Sequence, residues 1–139
     1  MARSRLIAPG GTRGTVFREV ARVRLDDSAV LLSNKRYRGA LYLAGYAIEC
    51  VLKWAVTQRT GQRYLPAELE IHKWDVLLSE AGLVKSLKTN VPLHSMYSEL
   101  AELWGPGLRY RTMEPGRGEA ERLCHQMKEV YSWIDEQAI

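Results

Sequence analysis

Two short clusters combine arginine with tyrosine, side chains suited to binding a nucleic-acid phosphate. One cluster is Arg36-Tyr37-Arg38 and the other is Arg109-Tyr110-Arg111. Guanidinium groups form paired hydrogen bonds with phosphate oxygens, and tyrosine rings stack on unpaired bases. If the two clusters lie at one end of the folded chain, they form a basic, aromatic patch, and we predict a phosphate site there. The alternative is a solvated loop in which Tyr110 packs onto the rest of the fold.

Glu49 is the only acidic residue in a long apolar segment, residues 36–56. A lone carboxylate is costly to bury, so Glu49 needs a partner. Lys53 follows four residues later and reaches the same face of a helix. We predict a structural ion pair between them. A role for Glu49 as general base or ligand would require a cleft and a shifted pKa.

The sequence has no signature of a metal or cofactor site. Cys50 and Cys124 belong neither to a CxxC pair nor to a Cys/His ligand cluster, which predicts reduced thiols. There is also no glycine-rich phosphate loop, paired-carboxylate site or Ser-His-Asp set. We therefore expect no metal and no cofactor.

Length and charge indicate one domain with a basic arm. A chain of 139 residues with 46% hydrophobic and 26% charged residues fits a single globular domain. Residues 1–24 carry six arginines and one glutamate, so they hold +5 while the rest of the chain holds −1. Such an arm is suited to phosphate, but we favour the interpretation that it is a solvated tail followed by an exposed helix face. We predict a flexible basic tail over residues 1–14 and a folded domain over residues 15–139, because Pro9, Gly10 and Gly11 interrupt any periodicity in the tail.

The elements that position these residues all read as helices. Apolar residues at helical spacing predict helices over residues 15–33, 36–56, 72–81, 90–104 and 119–137, with loops at 58–70 and 105–118, and residues 83–89 are ambiguous. The natural packing is an all-α, antiparallel up-and-down bundle of four to five helices around the apolar second helix. The longest uncharged run in that helix, residues 39–48, is shorter than the roughly 20 residues of a membrane span, so we expect a cytoplasmic protein without membrane contact.

Several segments resemble the HEPN family of helical nucleotide-binding domains. The run RYRGA at residues 36–40, followed by AGYAIE at residues 44–49 and then by Leu52-Lys53, is similar to the family's second helix. His72, followed by Leu77-Leu78 and Gly82, is similar to the next one. The resemblance implies a helical bundle, commonly dimeric, that binds or acts on nucleotides or RNA, often beside a small nucleotidyltransferase.

Ribonucleases of that family carry an arginine followed, after roughly four to six residues, by a histidine, and this spacing is absent here. The nearest pair is Arg117 and His125, with Arg117 predicted in a loop that could fold back. Our first hypothesis is therefore an RNA- or nucleotide-binding bundle without the ribonuclease motif. The second is a toxin-type ribonuclease that uses Arg117 with His125, or Arg111 with His72. The third is a dimerisation or interaction module without a ligand, either a dimer of this chain or a bundle bound to a partner.

Overall fold

The computed structural model describes residues 11–104, 108 and 114–139. Their secondary structure is helical, with one isolated β-bridge between Arg13 and Tyr64. The described residues form the helices α1 (Gly14–Ser33), α2 (Tyr37–Thr60), α3 (Trp74–Glu80), α4 (Val84–Thr89), α5 (Val91–Trp104) and α6 (Arg117–Ala138), besides a 3-10 turn at Ala67–Leu69. The predicted all-α helical bundle is confirmed.

Helices α1 and α2 form an antiparallel hairpin. Lys35 adopts a left-handed conformation, φ 61°, in the short connection between them. At the far end of the hairpin Gly14 packs so closely on Thr57 that a Cβ would overlap its side chain. Residues 12–14, which the sequence placed in the basic tail, hydrogen-bond with residues 63–65 through Gly14 N–H to the Arg63 carbonyl (3.0 Å) and Leu65 N–H to the Thr12 carbonyl (3.3 Å). The rest of the predicted tail, residues 1–10, lies outside the described residues.

Helix α2 is the central element of the bundle and packs against α1, α3, α5 and α6. Fifteen of its residues are buried. It has the length and composition of a membrane span, but 78% of its most apolar window is buried inside the bundle, as in the core helix of a soluble protein. The predicted loop at residues 58–70 starts too early, because α2 continues to Thr60 and ends at Gly61 with φ 70°.

Helices α3 and α5 pack against α2, and the short helix α4 packs against α5. Gly82, with φ 71°, follows the end of α3, and residues 83–89, which the sequence leaves ambiguous, contain α4. Asn90 Oδ1 accepts a hydrogen bond from the Leu93 N–H at the start of α5 (3.4 Å). At the other end of α5, Trp104 is buried against α2.

Helix α6 packs against α2, α5 and α1 and runs antiparallel to α1. The Arg18 guanidinium of α1 binds the Asp135 carboxylate near the end of α6, with Nε–Oδ1 3.0 Å, and lies over the Trp54 ring at 4.2 Å. This hydrogen bond raises the pKa of Arg18. The predicted start of α6 at Glu119 is late by two residues, because Arg117 and Gly118 are already helical.

Candidate functional site

Arg36 and Arg38, from the first arginine-tyrosine cluster, line one cavity at the start of α2. The cavity measures about 670 Å³. Its lining consists of Leu31, Arg36, Arg38, Gly39, Tyr42, Leu108 and Glu114. We call it the Arg36/Arg38 cavity. Tyr37, between the two arginines, is not part of this lining.

The two arginines of the cavity are held differently. Arg38 binds Glu114 twice, because its backbone N–H donates to Oε2 at 3.0 Å and its Nε lies 3.7 Å from Oε1. Arg36 is exposed and has no ion-pair partner within the described parts of the chain. Among the described residues, the cavity therefore has one guanidinium without an ion-pair partner, that of Arg36, and one that is bound by a carboxylate, that of Arg38.

The second cluster, Arg109-Tyr110-Arg111, lies outside the described residues. The chain positions that flank it are described, and both are at the Arg36/Arg38 cavity: Leu108 and Glu114 belong to the lining. Leu108 is 7% exposed and belongs to the hydrophobic core.

An aromatic stack supports Tyr42, which sequence reasoning did not single out. The Tyr42 ring is 39% exposed, and its centroid lies 6.0 Å from that of Trp104. Trp104 donates its Nε1–H to the Tyr42 carbonyl at 3.0 Å and stacks on Trp74 at 5.3 Å. The sequence signal for Tyr42 is its spacing of four residues from Arg38, which places both on one face of a helix.

A second polar cluster lies in the middle of α2. Glu49 is 1% exposed, and its Oε2 binds Lys53 Nζ at 3.0 Å, so the predicted ion pair is present. Its other oxygen, Oε1, lies 2.9 Å from Nδ1 of His72, in the loop before α3. The His72 side chain is 59% exposed, whereas that of Lys53 is only 8% exposed. We call these three residues the Glu49 cluster.

The Glu49 cluster orients an imidazole that solvent can reach. When the Nδ1–H of neutral His72 donates to the carboxylate, Nε2 carries a lone pair and is available to accept a proton. Cys50, next to Glu49, is unsuited to nucleophilic chemistry, because burial raises the pKa of its thiol to about 11. Burial likewise raises the pKa of Tyr46, on the same face, to about 12. His72 is therefore the group of this cluster whose exposure and hydrogen bonding suit proton transfer.

The pair Arg117 and His125 is not brought together. Our prediction that Arg117 lies in a loop able to fold back is wrong, since Arg117 opens α6. Eight residues along a helix correspond to about 12 Å of rise. Each residue binds a glutamate four positions on: Arg117 Nε to Glu121 at 2.8 Å, and His125 Nε2 to Glu129 at 2.8 Å. His125 also lines a groove of about 700 Å³ between α1 and α6.

A metal centre has no support in the described ranges, where no group of three or more His, Cys, Asp or Glu side chains is arranged to hold an ion. His94, the third histidine, lines a cavity of about 400 Å³ between α3 and α5, with Asp75 and Tyr97. There the Tyr97 hydroxyl donates to Asp75 Oδ1 at 2.7 Å. Burial is the larger cause, and this hydrogen bond the second, of the raised pKa of Tyr97.

Comparison with known proteins bears on the whole bundle. The model of the HEPN domain family matches residues 16–137, which cover α1 to α6 almost completely. Neither the curated proteins nor the solved structures give a match to this chain. The match extends the resemblance seen in α2 and at His72 over most of the sequence, and the chain therefore belongs to the HEPN domain family.

Proposed function

We propose that this HEPN domain binds a phosphate group of RNA or of a nucleotide at the Arg36/Arg38 cavity. The observation that carries the proposal is the placement of Arg36, Arg38 and Tyr42 around one concavity of about 670 Å³. Two guanidinium groups supply charge and directed donors for phosphate oxygens, and an exposed tyrosine ring supplies a stacking surface for a base.

The second arginine-tyrosine cluster supports the same location. Leu108 precedes Arg109 directly and Glu114 follows Met113, and both flanking residues line the cavity. The cluster Arg109-Tyr110-Arg111 therefore lies, in the sequence, between two residues that line the Arg36/Arg38 cavity.

The test is binding of a fluorescent single-stranded RNA of about eight nucleotides, a length within the range of single-strand binding sites. We expect Arg36→Ala to weaken binding about tenfold, because it removes charged hydrogen bonds. The slope of log affinity against log salt should fall by about one unit. Arg122→Ala is the matched control, since Arg122 is an exposed arginine bound to Glu99 on another face. Equal affinities for the wild type and Arg36→Ala would overturn the proposal.

The Glu49 cluster favours a second candidate function, a ribonuclease in which His72 is the base. In this reaction Nε2 of His72 takes the proton of a ribose 2′-hydroxyl while that oxygen attacks the adjacent phosphorus. The bond from phosphorus to the 5′-oxygen breaks, and water protonates the leaving oxygen. The products are a 2′,3′-cyclic phosphate and a 5′-hydroxyl. A buried carboxylate on Nδ1 stabilises the imidazolium that forms.

This second candidate predicts that His72→Ala abolishes RNA cleavage while His94→Ala retains it. The products would be separated on a denaturing gel, and their ends identified by mass spectrometry. Cleavage that survives in His72→Ala, or wild-type protein that leaves RNA intact, would remove the ribonuclease candidate and leave phosphate binding as the function to test. The pairing of Arg111 with His72 in this reaction remains a prediction from the sequence, because Arg111 lies outside the described residues.

A further inference from the structure

Glu114 is an acidic residue at the cavity where we propose that a phosphate binds. Its Oε2 accepts a hydrogen bond from the Arg38 backbone N–H at 3.0 Å, and its Oε1 lies 3.7 Å from the Arg38 Nε. A carboxylate and a phosphate accept hydrogen bonds from the same donors in similar geometry. Glu114 therefore occupies donors that a ligand phosphate at this cavity would use.

The contact between Glu114 and Arg38 is weak enough for a ligand phosphate to replace Glu114. Its side chain is 53% exposed, and it lies outside the helices, before the start of α6. Its hydrogen bond and ion pair in the described parts of the chain both go to Arg38. Exposed ion pairs of this kind contribute little to stability, because water screens them and both side chains lose freedom.

We propose that Glu114 is an internal competitor: its carboxylate neutralises Arg38 in the free protein, and a ligand phosphate displaces it. The inference rests on the proposed phosphate binding at the Arg36/Arg38 cavity and adds a regulatory contact to that site. Displacement frees Glu114 to solvent and transfers Arg38 to the phosphate, while Arg36 is available from the start. The contact lowers affinity for weakly charged ligands and leaves strongly charged ones able to bind.

The competition is tested by removing the negative charge of Glu114 with little change of shape. We expect Glu114→Gln and Glu114→Ala each to bind the single-stranded RNA about three- to tenfold more tightly than the wild type. Glu121→Gln is the matched control, because Glu121 is an exposed acid that binds Arg117 on α6, and the change in net charge is the same. Its affinity should equal that of the wild type.

The two proposals fail in distinguishable ways. If Glu114→Gln binds RNA no more tightly than the wild type while Arg36→Ala still weakens binding, the competition is overturned and phosphate binding at the cavity stands. If Glu121→Gln tightens binding as much as Glu114→Gln, net charge explains the gain and the competition is again overturned. If Arg36→Ala leaves the affinity for RNA unchanged both in the wild type and in Glu114→Gln, both proposals are overturned.

A direct readout is the backbone amide of Arg38 in a ¹H–¹⁵N spectrum. Titration of the wild type with the RNA should move this resonance, because the acceptor of its hydrogen bond changes from carboxylate to phosphate. In Glu114→Ala the resonance of the free protein should already differ from that of the wild type. An Arg38 amide that does not move while RNA binds would contradict the exchange.

Discussion

The indole ring of Trp104 lies directly on the backbone of Gly45, so closely that a Cβ at residue 45 would overlap the ring. Small residues allow such an approach between a helix and a large side chain. Because Trp104 also binds the Tyr42 carbonyl, this contact fixes the end of α5 beside the Arg36/Arg38 cavity.

The first prediction is that Gly45→Ala destabilises the domain by about 1–3 kcal/mol, the usual cost of overpacking a core. Gly39→Ala, in the same helix, is the matched control. Among the described residues, a Cβ at residue 39 meets only Leu31 Cδ1 at 3.4 Å, and alanine is the better helix former by about 0.5–1 kcal/mol. Urea unfolding followed by circular dichroism measures both variants. Equal stabilities for the two would contradict the close contact at Trp104.

The second prediction concerns the buried pair Glu49 and Lys53. Glu49→Leu leaves Lys53 without its carboxylate in the bundle interior, so we expect a loss of about 3–5 kcal/mol. The double variant with Lys53→Met should lose less than the sum of the two single variants, with a coupling of at least about 1 kcal/mol. Free energies of unfolding from urea titrations complete the cycle. Simple additivity would show that the two groups do not depend on each other.

The third prediction is the tautomer of His72. Because Glu49 Oε1 lies 2.9 Å from Nδ1, neutral His72 should carry its proton on Nδ1 and leave Nε2 unprotonated. Long-range ¹H–¹⁵N spectra distinguish the two ring nitrogens. In Glu49→Gln the preference should weaken, since an amide oxygen is a poorer acceptor than a carboxylate. A wild-type spectrum with the proton on Nε2 would refute this geometry.

The fourth prediction is a loss of stability at alkaline pH. Burial, and then the charge of Glu49, raises the pKa of Cys50 from its ordinary 9.0 to about 11. Between these values the unfolded chain releases a thiol proton that the folded chain keeps, so the free energy of unfolding falls as pH rises. One such proton corresponds to about 1.4 kcal/mol per pH unit.

Cys50→Ala should therefore flatten the decline between pH 9 and pH 11, even though it also loses packing. Val51→Ala is the control, because the neighbouring residue is equally buried and does not titrate. The free energy of unfolding that Val51→Ala loses should be the same at pH 9 and at pH 11. An unchanged slope in Cys50→Ala, measured by urea unfolding at each pH, would rule out a titrating Cys50.

Helix α2 and its ion pair could be predicted from the sequence, because the residues that determine them lie within a few turns of one helix. The apolar run and the spacing of Glu49 from Lys53 are both local. The contact from Glu49 to His72 joins residues 23 positions apart through an irregular loop, and no periodicity encodes it. The sequence singled out both residues but assigned them to separate roles.

At the start of α6 the local composition predicts the wrong structure. Glycines on both sides of Arg117 favour a loop by composition, yet the residue begins a helix that is held by the buried side chains of α6. Tertiary packing overrides weak local propensity in such cases. Glu114 was missed for a related reason: nothing near it in the sequence indicates Arg38, 76 positions earlier. A nucleotidyltransferase partner, self-association and a cytoplasmic location remain predictions from the sequence.

The short connection between α1 and α2 also has a kinetic consequence. Contacts between neighbours in the chain form with little loss of loop entropy, so we expect the hairpin of α1 and α2 to be the folding nucleus and α6 to dock later. Lys53 lies on the same helix as Glu49, so the carboxylate already has its first counter-ion in that nucleus. When the loop that contains His72 docks later, it covers the ion pair of Glu49 and Lys53. The barrier to folding therefore does not include the burial of an unpaired Glu49 carboxylate.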